Sequence, residues 1–272
     1  MPEFIDCHTH VNFSAFDEDR DAVIKRASDS NTWMINVGTQ KDTSKSAVEL
    51  AEKYEKGVYA IVGLHPIHTD KSHFDESELG EGGKAFTSRG EEFDHNYYLD
   101  LLKNPKVVAL GECGLDYFHA EGESLKKQKE AFIKSIEVAN EVGKPLMLHI
   151  REAYKDAYEI LKSYAKVKGD VHFFAGSWEE AKMFLDLGFT ISFTGVITFA
   201  RNYDEVIKNT PLNMMLSETD SPYVAPSPFR GKRNEPLYVQ EVVKKIAEIK
   251  GEDLEKVKKQ LVENAFRVFD LK

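Results

Sequence analysis

Eight short apolar runs rich in β-branched and aromatic residues recur along the chain, and an amphipathic or polar stretch follows each one. They read "EFIDCHTH", "WMINVGTQ", "VYAIVGLHP", "VVALGECGLD", "PLMLHIR", "DVHFFAG", "FTISFTGVI" and "LNMMLSETD". Strands that alternate with helical segments pair in parallel, because only a crossover helix brings the chain back in the same direction. Both faces of these runs are apolar, as expected of strands covered by helices on one side and a packed interior on the other. The helical period is clear over 42–56, 124–143 and 177–188. Phe132, Ile133, Ile136 and Ala139 line one face of the second of these, and Ser177 with Glu180 offers a capping box at the start of the third. Eight such units predict an α/β fold of the (β/α)8 barrel type. The closing "DLEKVKKQLVENAFRVFD" adds a C-terminal helix, expected to pack outside. At 272 residues the chain has the size of one such barrel, so a single domain over residues 1–272 is expected. One segment breaks the rhythm: Thr69 to Asn96 is polar, glycine-bearing and long, a loop after the third strand expected to sit over the barrel mouth.

A barrel places its chemistry at the C-terminal ends of its strands. The residues there are His8 and His10 after the first run, His65 after the third, Glu112 on the fourth, His149 on the fifth, His172 on the sixth and Asp220 after the eighth. Five of the nine histidines in the chain fall at these places. A single strand-end histidine reads equally well as a core residue bonded to a carbonyl, but that explanation would have to hold at every position at once. Four imidazoles and two carboxylates exceed the three protein ligands of a mononuclear catalytic zinc site and suit two divalent ions, Mg2+, Mn2+ or Zn2+, with Glu112 as the bridge; mixed nitrogen and oxygen ligands suit zinc, manganese or iron better than magnesium. A water held by two cations would lose its proton near neutral pH and attack as hydroxide, with Asp220 orienting it and taking that proton.

The net charge of −10 argues against a broad basic face for coating long duplexes, since such affinity comes from Lys and Arg on phosphates. Any positive charge for a phosphate must be local. Arg151, two residues beyond His149, and Arg230 and Arg233 in "RGKRNEP" are the candidates, with His65 as a further donor. Aromatic residues near the same rim, Phe13, Phe16, Tyr117, Phe118, Tyr223 and Phe229, suit stacking on unpaired bases, although Tyr117 and Phe118 read more readily as core. Two cysteines, Cys7 and Cys113, fit a reducing compartment and read as packing residues on the strand faces opposite the ligands. No run approaches a membrane span, and "MPEFIDCHTH" has no basic region followed by an apolar stretch. A cytoplasmic protein without a signal peptide is therefore expected.

"DCHTH", "GLHP", "GECGLD", "LHIRE", "HFFAG", "ETDSPYVAP" and "RGKRNEP" stand in order across almost the whole chain, and together they closely resemble the TatD family of metal-dependent deoxyribonucleases. The resemblance implies a barrel related to the amidohydrolases with a dinuclear phosphodiesterase site. One metal would take His8, His10, Glu112 and Asp220, and the other Glu112, His149 and His172. It implies a 3′–5′ exodeoxyribonuclease acting on single-stranded or frayed DNA ends, with no membrane and no obligate protein partner. Two other functions stay open: hydrolysis of another ester, such as an aminoacyl-tRNA, on the same site, and a metal-bound binding module without turnover. The long segment after "GLHPIH" and Phe174 in "HFFAG" depart from the family's pattern, and neither removes a ligand.

Overall fold

The computed structural model describes residues 1–71, 73–74, 86–87, 89–118 and 120–272. Eight strands form one parallel sheet in the order β1 (Phe4–Thr9), β2 (Thr32–Val37), β3 (Val58–Val62), β6 (Val107–Asp116), β7 (Leu146–Arg151), β8 (Gly169–Val171), β9 (Thr190–Phe193) and β10 (Met215–Ser217). The barrel closes just beyond β10: the Asp220 amide donates to the carbonyl of His8 at 2.9 Å, and the His10 amide donates to that of Ser221 at 2.8 Å. The two short strands β4 (His73–Phe74) and β5 (Phe86–Thr87) pair antiparallel outside the barrel. Of the loop expected over the mouth, Thr69 to Asn96, residues 72, 75–85 and 88 lie outside the described residues. No helix among the described residues is long and apolar enough to cross a membrane.

The expected helices appear at Lys41–Glu52, Glu123–Val142 and Trp178–Asp186. Ser177 and Glu180 form the capping box, with the Ser177 amide donating to Glu180 Oε2 at 2.7 Å. Gly143, at φ 69°, ends the second helix in the left-handed conformation that favours glycine.

Strand side chains divide between two cores. One set, including Met34, Val62, Leu110, Leu148 and Ile191, packs outward against the helices. The other, including Ile5, Cys7, Ile35, Val37, Ile61, Ala109, Met147 and Leu216, fills the interior. The last helix, Leu254–Phe269, joins both sets: Val257 and Leu261 pack in the outer one, as expected, while Val262, Ala265 and Phe269 join the interior cluster, next to Trp33 and Tyr59 near the starts of their strands. It therefore also closes the barrel end opposite the mouth. An amphipathic pattern shows that one face is buried, but not against what.

Strict two-residue alternation fails where the site is built. The register of β1 against β2 slips between Asp6 and Thr9, and that of β6 against β7 slips between Leu110 and Cys113. Such bulges re-aim side chains. Cys7 accordingly joins the barrel interior rather than the face turned away from the ligands. Glu112 lies within the ten-residue β6 rather than at its end. Gly111 and Gly114 flank Glu112 at φ 156° and 142°, and a Cβ on either would collide with the β7 backbone. These glycines let β6 lie close on β7 and bring Glu112 beside His149.

Candidate metal centre

Glu112 is the hub of the mouth, 3% exposed. Its Oε1 has three imidazole nitrogens around it, His149 Nδ1 at 3.0 Å, His65 Nε2 at 3.2 Å and His172 Nε2 at 3.3 Å. Its Oε2 faces His8 Nε2 at 3.3 Å and His10 Nε2 at 3.9 Å. Asp220 Oδ1 completes that second side, 3.3 Å from His10 Nε2 and 3.8 Å from His8 Nε2. The six residues expected to converge do so, as two donor sets sharing one carboxylate. Asp220 holds a left-handed backbone at φ 56°, as does Phe173 next to His172 at φ 45°; such sparsely populated conformations gather at functional sites.

What each imidazole can do is set from behind. His10 Nδ1–H donates to the carbonyl of Val37 at 2.9 Å, His149 Nε2–H donates to Asp116 Oδ2 at 2.9 Å, and His172 Nδ1–H donates to Glu218 Oε1 at 3.2 Å. In each ring one nitrogen is thereby fixed as the donor, and in the neutral ring the other offers a lone pair to the mouth. This is the arrangement by which outer carboxylates orient metal-bound histidines. His65 is set the opposite way. The Ile67 amide donates to its Nδ1 at 3.2 Å, so its Nε2 carries the proton and donates to Glu112. His65 is a hydrogen-bond donor in the mouth, whereas the other rings present ligand nitrogens.

The electrostatics agree. Burial alone would push the Glu112 carboxyl up, but the imidazoles of His65, His172 and His8 hold it well below the usual carboxylate range. Burial likewise opposes protonation of His149, yet its bonds to Asp116 and Glu112 raise it to about 9. Against its own burial, Asp116 falls to about 2 beside His149. Burial and then repulsion from His172 push His8 down. Asp220, although burial raises it, is lowered by His10, His172 and His8 and stays ionised. Protonation is favoured at His149 and His172, both against Glu112 Oε1, where a divalent cation would supply the same positive charge. A buried polar atom left without a partner, His8 Nδ1, adds to the unbalanced donor set. The residues fit metal ions: His8, His10 and Asp220 form one compact group, His8, His172 and Glu218 a second, and Glu112 and His149 a third, in which His65 stands as the donor described above.

Asp116 and Glu218 carry no role in the sequence reading, although both stand in its motifs, "GECGLD" and "SETDSP". Asp116 is locked by Gln128 on its amide and by the Phe118 amide on Oδ1. Glu218 accepts from the Phe173 amide at 2.7 Å and from Ser192 at 2.9 Å, and Ser192 also bonds Asp170 at 2.6 Å. One hydroxyl cannot donate to two carboxylates. Burial and the charge of Glu218 raise Asp170 to about 7, so that Asp170 can supply the second proton. An acidic residue near a ligand in a strand-end motif was the available signal.

The expected cations separate. Arg233 is committed to structure, donating to the carbonyl of Ala15 at 2.8 Å and to Asp19 at 2.6 Å while lying over Phe16. Arg151 lies 3.6 Å from the ring centre of Phe118, and Arg230 lies 3.9 Å from that of Phe199. Among the rim aromatics, Phe16 is fully buried and Phe118 is 41% exposed. Phe13 stacks on His10 at 4.4 Å, Tyr223 meets the same ring edge-on, and Phe229 stacks on Tyr238.

With this geometry in view, the comparisons with known proteins are decisive. The family described as TatD related DNase matches residues 5–270. The chain belongs to the TatD family. It is 37% identical to the uncharacterized metal-dependent hydrolase YabD of Bacillus subtilis, over 97% of this chain and 98% of that one. It is 31% identical to the uncharacterized metal-dependent hydrolase TatD of Mycobacterium tuberculosis, over 98% of each. The crystal structure of YJJV, a TatD homolog from Escherichia coli K12, superposes with a TM-score of 0.83 at 27% identity, covering 99% of both chains. This TatD-family protein is a metal-dependent hydrolase on a (β/α)8 barrel.

Proposed function

We propose that this TatD-family protein is a nuclease that removes nucleotides from the 3′ end of single-stranded or frayed DNA, with two divalent ions held by the six residues around Glu112. The observation that carries the reading is the shared carboxylate: the two oxygens of Glu112 face two separate donor sets, as a two-ion phosphodiester site needs. His8, His10 and Asp220 would hold one ion, His149 and His172 the other, with Glu112 shared between the two sets. When bound, the ions polarise the phosphoryl oxygens and make an attacking water acidic. Asp220, ionised and 13% exposed at its side chain, orients that water and takes its proton on a carboxylate oxygen. His65 Nε2–H is a donor to a phosphate oxygen entering beside Glu112. Arg151 meets the same phosphate as a planar, two-pronged donor.

The test is a 5′-labelled single-stranded oligonucleotide incubated with magnesium, manganese or chelator. The expected result is a metal-dependent ladder that shortens from the 3′ end, absent with Glu112→Ala and slowed by orders of magnitude with Asp220→Asn. Intact DNA in every lane, with metal bound, would refute the nuclease and leave another ester as substrate.

A further inference from the structure

We infer that Arg151 with Phe118, and Arg230 with Phe199, form two stacking subsites that take unpaired nucleobases on either side of the scissile phosphate. The substrate class is then a flexible single strand, read without regard to sequence. The inference rests on the nuclease reading and adds to it two residues, Phe118 and Phe199, with a defined job.

Four observations lead there. First, the protein carries ten more negative than positive charges, and Arg20, Arg26, Arg89, Arg201 and Arg233 all have a carboxylate within 4.0 Å. Arg151, Arg230 and Arg267 have none among the described residues; Arg267 donates to the carbonyl of Asn213, and of the three only Arg151 and Arg230 stand at the strand ends of the mouth, where their charge is available to a ligand. Second, each of these two guanidiniums lies over a phenylalanine ring, at 3.6 Å and 3.9 Å from its centre, and a guanidinium on a ring is a cationic surface suited to the face of a base and to the phosphate beside it.

Third, both stacks belong to the mouth. Phe118 follows β6 and Arg151 ends β7, whereas Phe199 follows the turn after β9 and Arg230 lies beyond β10. In the strand order β8 stands between the two pairs, and it delivers His172. Fourth, the first stack is tied to the metal centre, because Asp116 accepts from the Phe118 amide on one oxygen and from His149 on the other. A base held on Phe118 is therefore positioned through the carboxylate that positions a ligand. Phe118 is 41% exposed, and a partly exposed ring beside a cation without a carboxylate partner suits a π-faced anionic ligand. An aminoacyl ester would present one terminal adenine and no second base.

The test uses uncleavable phosphorothioate oligonucleotides with an abasic site placed in turn on each side of the scissile linkage, and reads Kd by fluorescence anisotropy. In the wild type, loss of either flanking base should weaken binding about tenfold, in the range of one base–aromatic stack. In Phe118→Ala the abasic site on one side should cost nothing further, and in Phe199→Ala the same should hold on the other side. Phe118→Trp should restore the dependence. Arg151→Ala and Arg230→Ala should each lower the slope of log Kd against log salt by about 0.7, one single-strand phosphate contact. Full additivity of the abasic site and Phe→Ala losses would overturn the stacking assignment while leaving the nuclease standing. A wild-type enzyme that binds and cleaves no oligonucleotide would overturn both.

Discussion

Asp116 decides what His149 can be. With its carboxylate on Nε2, the ring keeps Nδ1 for Glu112 and for a metal ion. In Asp116→Asn the amide can donate to Nε2 instead, which would place the ring proton on Nδ1 and point a donor at the ion's position. We expect metal affinity to fall 10- to 100-fold, the usual effect of losing such a partner, in calorimetric titrations with manganese or zinc. Unchanged affinity would mean that the ring orientation is fixed by packing alone. The convergence of the candidate ligands was legible, because strand-end histidines recur at the period of the barrel. Their partners were not: Asp116 lies 33 positions from His149 and Glu218 lies 46 from His172, and an acidic residue bears no mark of the ring it will face. The tautomer of His65 was equally hidden, since it depends on one backbone amide.

Between residue and barrel stands the segment after β10, where Asp220 is held by a turn that a neighbouring loop clamps. Asn234 is fully buried, and its amide donates to the carbonyls of Thr219 at 2.9 Å, Tyr223 at 2.7 Å and Val224 at 3.3 Å. Asn234→Ala would leave buried carbonyls without donors, destabilising the protein by roughly 2 kcal/mol. Turnover should fall by more than tenfold at temperatures where the variant is still folded, because Asp220 loses its fixed position. If kcat instead follows only the folded fraction, the clamp is merely structural. The sequence offered "RGKRNEP" as a charged loop for phosphate, but its buried member is the neutral Asn234. The next residue back, Arg233, ties the loop to Asp19 and to the helix Arg20–Asp29. Its hydrogen bond holds the Asp19 carboxyl below the usual range. A lowered carboxyl means that this contribution is present above about pH 4 and is lost as pH falls through the folded value. The ion pair with Asp19 should contribute less than about 1 kcal/mol of the loss in Arg233→Ala near neutrality, since it is solvent-screened, and the variant should flatten this part of the acid limb in urea melts. An acid limb that keeps its full slope would show that Asp19 gains nothing from the pair.

At the scale of the whole molecule the two ends of the barrel have separate duties. The alternation of strands and helices announced a parallel barrel and hence an active mouth, but not that the last helix seals the opposite end. That depended on where the chain's final amphipathic face would find apolar surface. Phe269 is 2% exposed in the interior cluster with Ile5, Ile35 and Leu216. Phe269→Ala should lower unfolding free energy by about 3–5 kcal/mol, the usual cost of emptying a buried aromatic site. If the barrel transmits little between its ends, the native variant should bind metal with wild-type affinity. A ligand that binds only the folded state stabilises it by an amount set by its concentration and affinity, about 2.7 kcal/mol at a hundredfold excess over Kd. Saturating manganese should then add the same increment to wild type and to Phe269→Ala, as independent distant sites do. A smaller increment in the variant would show that the sealed end is part of what shapes the metal centre, through the interior column in which Cys7 and Met147 lie between the last helix and Glu112.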